Sequence, residues 1–169
     1  SNRKDVIVES YTGSGKTLSY VIPILERCVR DYAFEALKDT DLPHNGPKLK
    51  KPVNNSFHTM IIVPTRDLAV QVEKVIDFIL SFYNDKATIV DEDDDENKEI
   101  LYKAPKTLLL VGGDKKQNMN EDIHKYKTTK PHILIGTPGR VLEFLKKPIV
   151  NTKECAYLIL DECDRLLLD

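Results

Sequence analysis

Five short apolar runs punctuate the chain, and most of them are apolar without interruption. They are residues 5–9 (DVIVE), 58–63 (HTMIIV), 107–111 (TLLLV), 132–136 (HILIG) and 157–161 (YLILD). A strand with one wet face alternates apolar and polar side chains. A continuous run suits a strand covered on both faces, the usual situation in a parallel sheet. Helical patterns lie between the runs. Lys16–Arg30 puts Leu18, Val21, Ile22 and Leu25 on one stripe, with Pro23 as a point where it can kink. Residues 66–83 space Leu68, Val72, Val75, Ile76 and Ile79 as a helix does, with Thr65 placed to cap it and Asp67 in its positive first turn. Weaker helical patterns cover 117–126 and 138–146. Strand and helix in alternation predict right-handed crossovers and an α/β domain, mainly a parallel twisted sheet with helices on both faces.

Two stretches break this rhythm. Residues 39–57 hold Pro43, Gly46, Pro47 and Pro52 with little periodicity, and residues 84–105 contain the acidic run DEDDDE at 91–96. Both read as surface loops inserted into the scaffold. Setting those six negative charges aside turns the net charge of −2 into +4, so the rest of the chain is mildly basic. That balance is compatible with a polyanionic partner without requiring one. At 169 residues, with 41% hydrophobic and 31% charged residues, the chain can bury the core of one domain and is not wholly disordered. No apolar run approaches the roughly 20 residues that span a bilayer, and no secretory signal opens the chain. The three cysteines (Cys28, Cys155, Cys163) show no CxxC spacing, which argues against a zinc site or a disulfide framework and for a reducing compartment.

Directly after the first apolar run comes TGSGKT, residues 12–17. A phosphate-binding loop asks for GxxxxGK[ST], and here Ser10 stands at the leading glycine. The physical requirements are nevertheless met. Gly13 and Gly15 let successive N–H groups turn inward, and the helix beginning near Gly15 aims its positive end at the same place. Thr12, Gly13, Ser14, Gly15, Lys16 and Thr17 would together bind the nucleotide. Lys16 would reach its β- and γ-phosphates, and the Thr17 hydroxyl would hold Mg²⁺. The bland alternative is an ordinary glycine turn capped by Thr17.

The final apolar run ends in Asp161-Glu162. Open parallel sheets bind ligands at the carboxyl ends of their strands. There, Asp161 would take Mg²⁺, partly through water, while Glu162 would orient and deprotonate an attacking water. Alternatively, the two acids simply begin the next turn, at 163–168.

Between these motifs stand PTRDLA (64–69), GG (112–113) and TPGR (137–140), with DECD (161–164) closing the series. TGSGKT, PTRDLA, GG, TPGR and DECD in that order resemble the first RecA-like domain of a DEAD-box RNA helicase, over nearly the whole chain outside the two interruptions. The resemblance implies a phosphate-loop NTPase fold, ATP with Mg²⁺ at Lys16, Thr17, Asp161 and Glu162, and RNA as partner. It implies contact with the RNA sugar-phosphate backbone, without base reading, by Pro64, Thr65, Arg66, Gly113, Thr137, Pro138, Gly139 and Arg140. It also gives Asp164 a coupling role between the nucleotide site and the next motif. Helix N-termini and exposed N–H groups do bind phosphodiester oxygens. Helix capping by Thr65 and Thr137, surface ion pairs for Arg66 and Arg140, and a plain turn at Gly112-Gly113 are the competing explanations. Ser10 and Tyr11 stand where the family has Ala and Gln, Asp67 replaces Glu, and Cys163 replaces Ala as an expected small buried residue.

The family's adenine-reading segment, its Ser-Ala-Thr motif and its second RecA-like domain are not found in the sequence. Residues 1–169 therefore read as part of a helicase domain, expected to bind ATP poorly and hydrolyse almost none on their own. The missing Ser-Ala-Thr strand would leave a gap in the sheet between 5–9 and 157–161. The words TGSGKTLSYVIPILE, IGTPGRVLEFL and LILDECDRLLLD resemble most the branch acting in nucleolar large-subunit ribosome assembly. That likeness implies a nuclear, nucleolar protein, or otherwise a cytoplasmic one, with pre-ribosomal protein partners; the chain is further expected to be a monomer with no membrane partner. The rivals are another phosphate-loop NTPase, such as a kinase or GTPase, and a non-catalytic RNA-binding scaffold on the same fold.

Overall fold

The computed structural model describes residues 5–11, 13–37, 55–82, 86–89, 98–101, 104–113 and 118–168. In chain order the elements are α1 (Lys16–Leu37), β1 (Thr59–Ile62), α2 (Arg66–Ser81), β2 (Lys86–Ile89), β3 (Lys98–Leu101), β4 (Thr107–Leu110), α3 (Met119–Thr129), β5 (Ile133–Gly136), α4 (Pro138–Leu145), β6 (Tyr157–Leu160) and α5 (Cys163–Leu166). Strands β4-β5-β1-β6 form one sheet in that spatial order, and every pair in it is parallel.

The apolar runs explain why the sheet is covered twice. Ile61, Val111, Ile133 and Ile135 point to one face, where α1 contributes Val21, Ile24, Leu25 and Cys28 and α2 contributes Ala69, Val72 and Ile76. Met60, Leu108, Leu110 and Leu134 point to the other face, against Met119 and Tyr126 of α3 and Val141 and Phe144 of α4. Successive strand residues alternate faces, so a strand between two helical layers is apolar at nearly every position, with Thr59 and Thr107 only at strand starts. The Tyr126 and Phe144 rings meet edge to face with centroids 5.2 Å apart.

Four of the five expected strands form. The fifth, 5–9, does not. Its backbone is irregular, and Ile7 is 93% exposed with Val6 and Val8 also open. A strand is held by its neighbours' hydrogen bonds, and among the described residues this segment has no neighbour to pair with. β6 shows the same lack on its outer side. Among the described residues it pairs only with β1, and Leu158 is 58% exposed.

The apolar stripe of α1 is rotated from the expected one. Val21 and Leu25 are buried, but Leu18 and Ile22 are exposed, and Ile24 and Cys28 take their places. The helix runs on through Pro23 to Leu37. Residues 84–105 are not simply a loop, since β2 and β3 pair there as an antiparallel hairpin. The acidic run 91–96 lies outside the described residues, as does most of 39–57. Of that interruption, Phe57 belongs to the core, and the Asn55 carbonyl accepts a bond from the Tyr126 hydroxyl. Among the described residues no helix is long and apolar enough to cross a membrane.

His132 ties β4, β5 and the approach to β1 together. Its carbonyl accepts from the N–H groups of His58 (2.9 Å) and Thr59 (3.1 Å). Its ring Nδ1 accepts from the Lys106 N–H at 2.9 Å, which requires that nitrogen to carry no proton. Burial, helped by the Lys106 charge and by His58, lowers the imidazole to about 4. Between pH 6.5 and that value the unfolded chain takes a proton that the folded chain refuses. The resulting stability is complete above pH 6.5 and drains away as pH falls towards 4. Thermal melting across this window should therefore show a steeper acid loss in the parent than in His132→Gln. Parallel pH profiles would contradict it.

Candidate functional site

The four strands of the sheet finish in one row. Leu110 stands beside Gly136, Gly136 beside Ile62, and Ile62 beside Leu160. Pairing continues one residue further through Thr137 N–H to Leu110 O (3.1 Å), Val63 N–H to Gly136 O (3.0 Å) and Asp161 N–H to Ile62 O (3.0 Å). The segments carrying PTR, GG, TPGR and DECD thus leave the sheet at one level on one rim. A Cβ at Gly136 would lie 2.3 Å from the Leu110 carbonyl oxygen, so the β4–β5 contact below TPGR admits no side chain there.

The phosphate loop joins this rim through Tyr20. One helical turn after Lys16, the Tyr20 hydroxyl donates to Asp161 Oδ2 at 2.8 Å. Asp161 Oδ1 accepts from the Glu162 N–H at 3.0 Å, so both carboxylate oxygens are held. The Thr17 side chain works on the Tyr20 hydroxyl in the opposite sense to Asp161, lowering its pKa. Burial, then the adjacent Asp161 charge, push the Tyr20 hydroxyl far above its ordinary range, so it remains a donor at any physiological pH. Thr17, Tyr20 and Asp161 therefore form one polar cluster at the start of α1.

The loop itself is folded back on its own backbone. Gly13 (φ +80°) and Gly15 (φ +89°) adopt the left-handed conformation that it needs, and Lys16 Nζ donates to the Ser10 carbonyl. The Ser14 N–H, expected to turn inward to a phosphate, has a backbone partner here. That N–H donates to the Tyr11 carbonyl at 3.2 Å, closing a turn, and the Ser14 hydroxyl bonds the Ser10 hydroxyl. The N–H of a turn's fourth residue takes the carbonyl of its first, the usual closing bond. Thr12 lies outside the described residues.

Glu162 follows Asp161 in a left-handed conformation (φ 50°, ψ 49°), unusual for a residue with a side chain. Its Oε2 accepts from Arg165 Nη1 at 2.8 Å in a solvent-exposed pair. Asp164 and Cys163 are exposed on α5. The expectation of a buried Cys163 is thus corrected: β6 is an outer strand, and no layer of described residues covers the turn after it.

The other motifs meet in two places. Pro64 leads from β1 into α2 and is half-buried. Thr65 caps α2, its Oγ1 accepting from the Leu68 N–H at 3.4 Å. Arg66 opens that helix and lies against Gly113, where a Cβ would come within 2.7 Å of Arg66 Nη1. Gly113 also has φ +109°, and it is this backbone conformation that disfavours a side chain there, since the Arg66 tip could swing aside. PTR and GG are therefore in contact. Thr137 stands at the N-cap of α4 but makes no side-chain cap bond, and Pro138 fills the first helical position. Gly139 borders open space. Arg140 reaches down to the buried Asp122, its Nε donating to Oδ2 at 2.9 Å, and its Nη1 lies 3.4 Å from Glu143 Oε2. The expected surface position of Arg140 becomes a nearly buried one. Sequence reading missed Tyr20 and Asp122. Tyr20 lies four residues after Lys16, on the same helix face, which is a legible signal. Asp122 has none beyond its place in a first helical turn.

The family profile described as DEAD/DEAH box helicase matches residues 1–169. The chain belongs to that family. Among curated relatives, the ATP-dependent rRNA helicase SPB4 of Eremothecium gossypii is 41% identical over 167 residues, covering 99% of this chain and 23% of the relative. SPB4 of Saccharomyces cerevisiae is 38% identical over 167 residues, with 99% and 23% covered. The chain thus spans 23% of the length of these relatives. Among solved structures, Mss116p bound to ssRNA and AMP-PNP superposes with a TM-score of 0.62 at 26% identity, covering 94% of this chain and 24% of that one. A DEAD box protein from the hyperthermophile Methanococcus jannaschii gives a TM-score of 0.59 at 26% identity, with 95% and 31% covered. The parallel sheet with helices on both faces is the RecA-like fold of these proteins.

The residues present suit a magnesium–triphosphate. Thr17 and Asp161 both offer oxygen ligands, and Tyr20, three residues after Thr17 on α1, ties that helix to Asp161. Mg²⁺ is commonly held in this way, by one or two protein oxygens, phosphate oxygens and water. Removing the hydroxyl in Tyr20→Phe deletes a bond to a charged, partly shielded acceptor. Urea denaturation should show a loss of about 1–2 kcal/mol, and an unchanged midpoint would contradict the bond.

Proposed function

We propose that this domain binds ATP with Mg²⁺ and the sugar-phosphate backbone of RNA along one rim. In the whole protein, ATP hydrolysis is then coupled to RNA binding and to local unwinding of short duplexes. The observation that carries the reading is the single row of strand ends, with the Tyr20 bond fastening the start of α1 to Asp161.

The roles follow from placement. The N–H groups of Thr12, Gly13, Ser14, Gly15, Lys16 and Thr17 and the positive end of α1 cradle the phosphates. For this the Ser14 N–H exchanges the Tyr11 carbonyl for a phosphate oxygen, and Lys16 leaves the Ser10 carbonyl to meet the β- and γ-phosphates. Thr17 and Asp161 hold Mg²⁺, which neutralises charge developing on the phosphates. Glu162 orients a water and accepts its proton as the water oxygen attacks the γ-phosphorus. Pro64, Thr65, Arg66 and Gly113 form one RNA-backbone contact, and Thr137, Pro138, Gly139 and Arg140 form a second. Asp164 couples the nucleotide site to the following part of the protein. None of these groups reads bases, so binding is not sequence-specific.

We further propose that the working protein is larger. The unpaired side of β6 and the unpaired segment 5–9 support a sheet that continues between them. A Ser-Ala-Thr strand fills that place, an adenine-reading segment joins the nucleotide site, and a second RecA-like domain supplies arginines worth roughly 10³–10⁵ in rate. The rRNA helicases of similar sequence support ribosomal RNA as substrate. With that substrate we infer a nucleolar location, pre-ribosomal protein partners and a monomeric helicase.

Assays of the full-length protein test the assignment. Lys16→Ala should abolish ATP binding. Glu162→Gln should retain it and lower RNA-stimulated turnover by about 10²–10⁴-fold, the range of a general base. Normal hydrolysis by Glu162→Gln would remove Glu162 from that role. Failure of the parent to unwind a short RNA duplex with ATP would overturn the helicase reading.

A further inference from the structure

Among the described residues, Asp122 is the only charged side chain in the buried set, at 1% exposure. It lies in the first turn of α3, beneath α4. Its Oδ2 accepts from Arg140 Nε at 2.9 Å, and its Oδ1 has no hydrogen-bond partner among the described residues. Burial raises the Asp122 carboxyl above its ordinary value, and the Arg140 charge offsets this only in part. A buried ion pair with an oxygen left over is a poor source of stability, because desolvation consumes most of the attraction. What such a pair does well is fix geometry.

The geometry it fixes is that of the TPGR turn. α2 secures its own first turn through the Thr65 cap. α4 has no such bond from Thr137. Its first turn is instead gripped from outside, through Arg140, the third residue of the helix. The Arg140 side chain is only 10% exposed, and its guanidinium is pinned between the buried Asp122 and the exposed Glu143. Pro138 sets the local backbone, while the Asp122–Arg140 pair sets where that backbone sits relative to α3 and β4.

We propose that Asp122 is a positioning residue for RNA. Through Arg140 it holds the first turn of α4 so that Thr137–Arg140 meet a phosphate, and it has no part in binding nucleotide. The proposal rests on the RNA-binding reading of TPGR given above.

In the full-length protein, Asp122→Asn keeps the side-chain size and removes the charge. Fluorescence anisotropy with labelled single-stranded RNA should show binding weakened about tenfold, the effect of losing one hydrogen bond to a charged group. Affinity for AMP-PNP should stay within about twofold. Asp122→Asn/Arg140→Ala should bind RNA no more weakly than the worse single variant, since both act through one contact. RNA affinity unchanged in Asp122→Asn, or additive losses in the double variant, would overturn the proposal. If Thr137→Val and Arg140→Ala also leave RNA affinity unchanged, the RNA reading of TPGR fails as well. If they weaken binding and Asp122→Asn does not, only the positioning role fails. Should Asp122→Asn not fold, Asp122→Glu is measured in the same way. It keeps the charge but shifts it by one methylene, so weakened RNA binding with intact AMP-PNP binding supports the role and parental RNA binding contradicts it.

Discussion

Parallel pairing with aligned strand ends governs everything built on this domain. Because β4, β5, β1 and β6 run the same way and finish in one register row, every strand delivers its following segment to the same rim. Motifs separated by tens of residues then become neighbours without special contacts. The demand for burial on both faces makes the runs continuously apolar, and it leaves polar chemistry nowhere to go but the strand ends. Fold and site share one cause.

At the rim, two acids are handled in contrasting ways. Asp161 is held by one hydroxyl and one backbone N–H, both neutral donors, which shape the carboxylate without cancelling its charge. A cation can still be drawn to it. Asp122 is buried and spends its charge on Arg140. The first arrangement preserves electrostatic potential for a ligand; the second converts it into a fixed helix position. Thr17 and Tyr20 on one side, and Pro138 and Arg140 on the other, carry these constraints into the starts of α1 and α4.

Much of this was legible in the sequence, for reasons that can be named. The runs at 58–63, 107–111, 132–136 and 157–161 became strands because each has a partner strand. The Thr65 cap and the first-turn Asp67 of α2 are local effects, and they stand as read. The run 5–9 failed because its composition carries strand preference but no hydrogen-bond partner. The α1 stripe was misplaced because periodicity gives spacing and leaves orientation to the sheet, which selected Ile24 and Cys28 over Leu18 and Ile22. In the phosphate loop the glycines marked where the chain turns, but not that Ser14 would bond within the turn, to Tyr11 and Ser10. The hairpin of β2 and β3 was hidden by an acidic, weakly apolar stretch. Its spacing from Lys16 places Tyr20 beside the loop, but its contact with Asp161 spans 141 residues and that of Asp122 with Arg140 spans 18, and no local pattern names those partners. The order of motifs showed which segments share a site, while the coordinates show which side chains hold them there.

The central claim is that nucleotide and RNA occupy one rim. A crystal structure of the full-length protein with AMP-PNP and single-stranded RNA tests it most directly. The γ-phosphate should lie between Lys16 and Glu162, with RNA phosphates at the first turns of α2 and α4. Either ligand bound at the opposite edge of the sheet, where the strands begin, would contradict it.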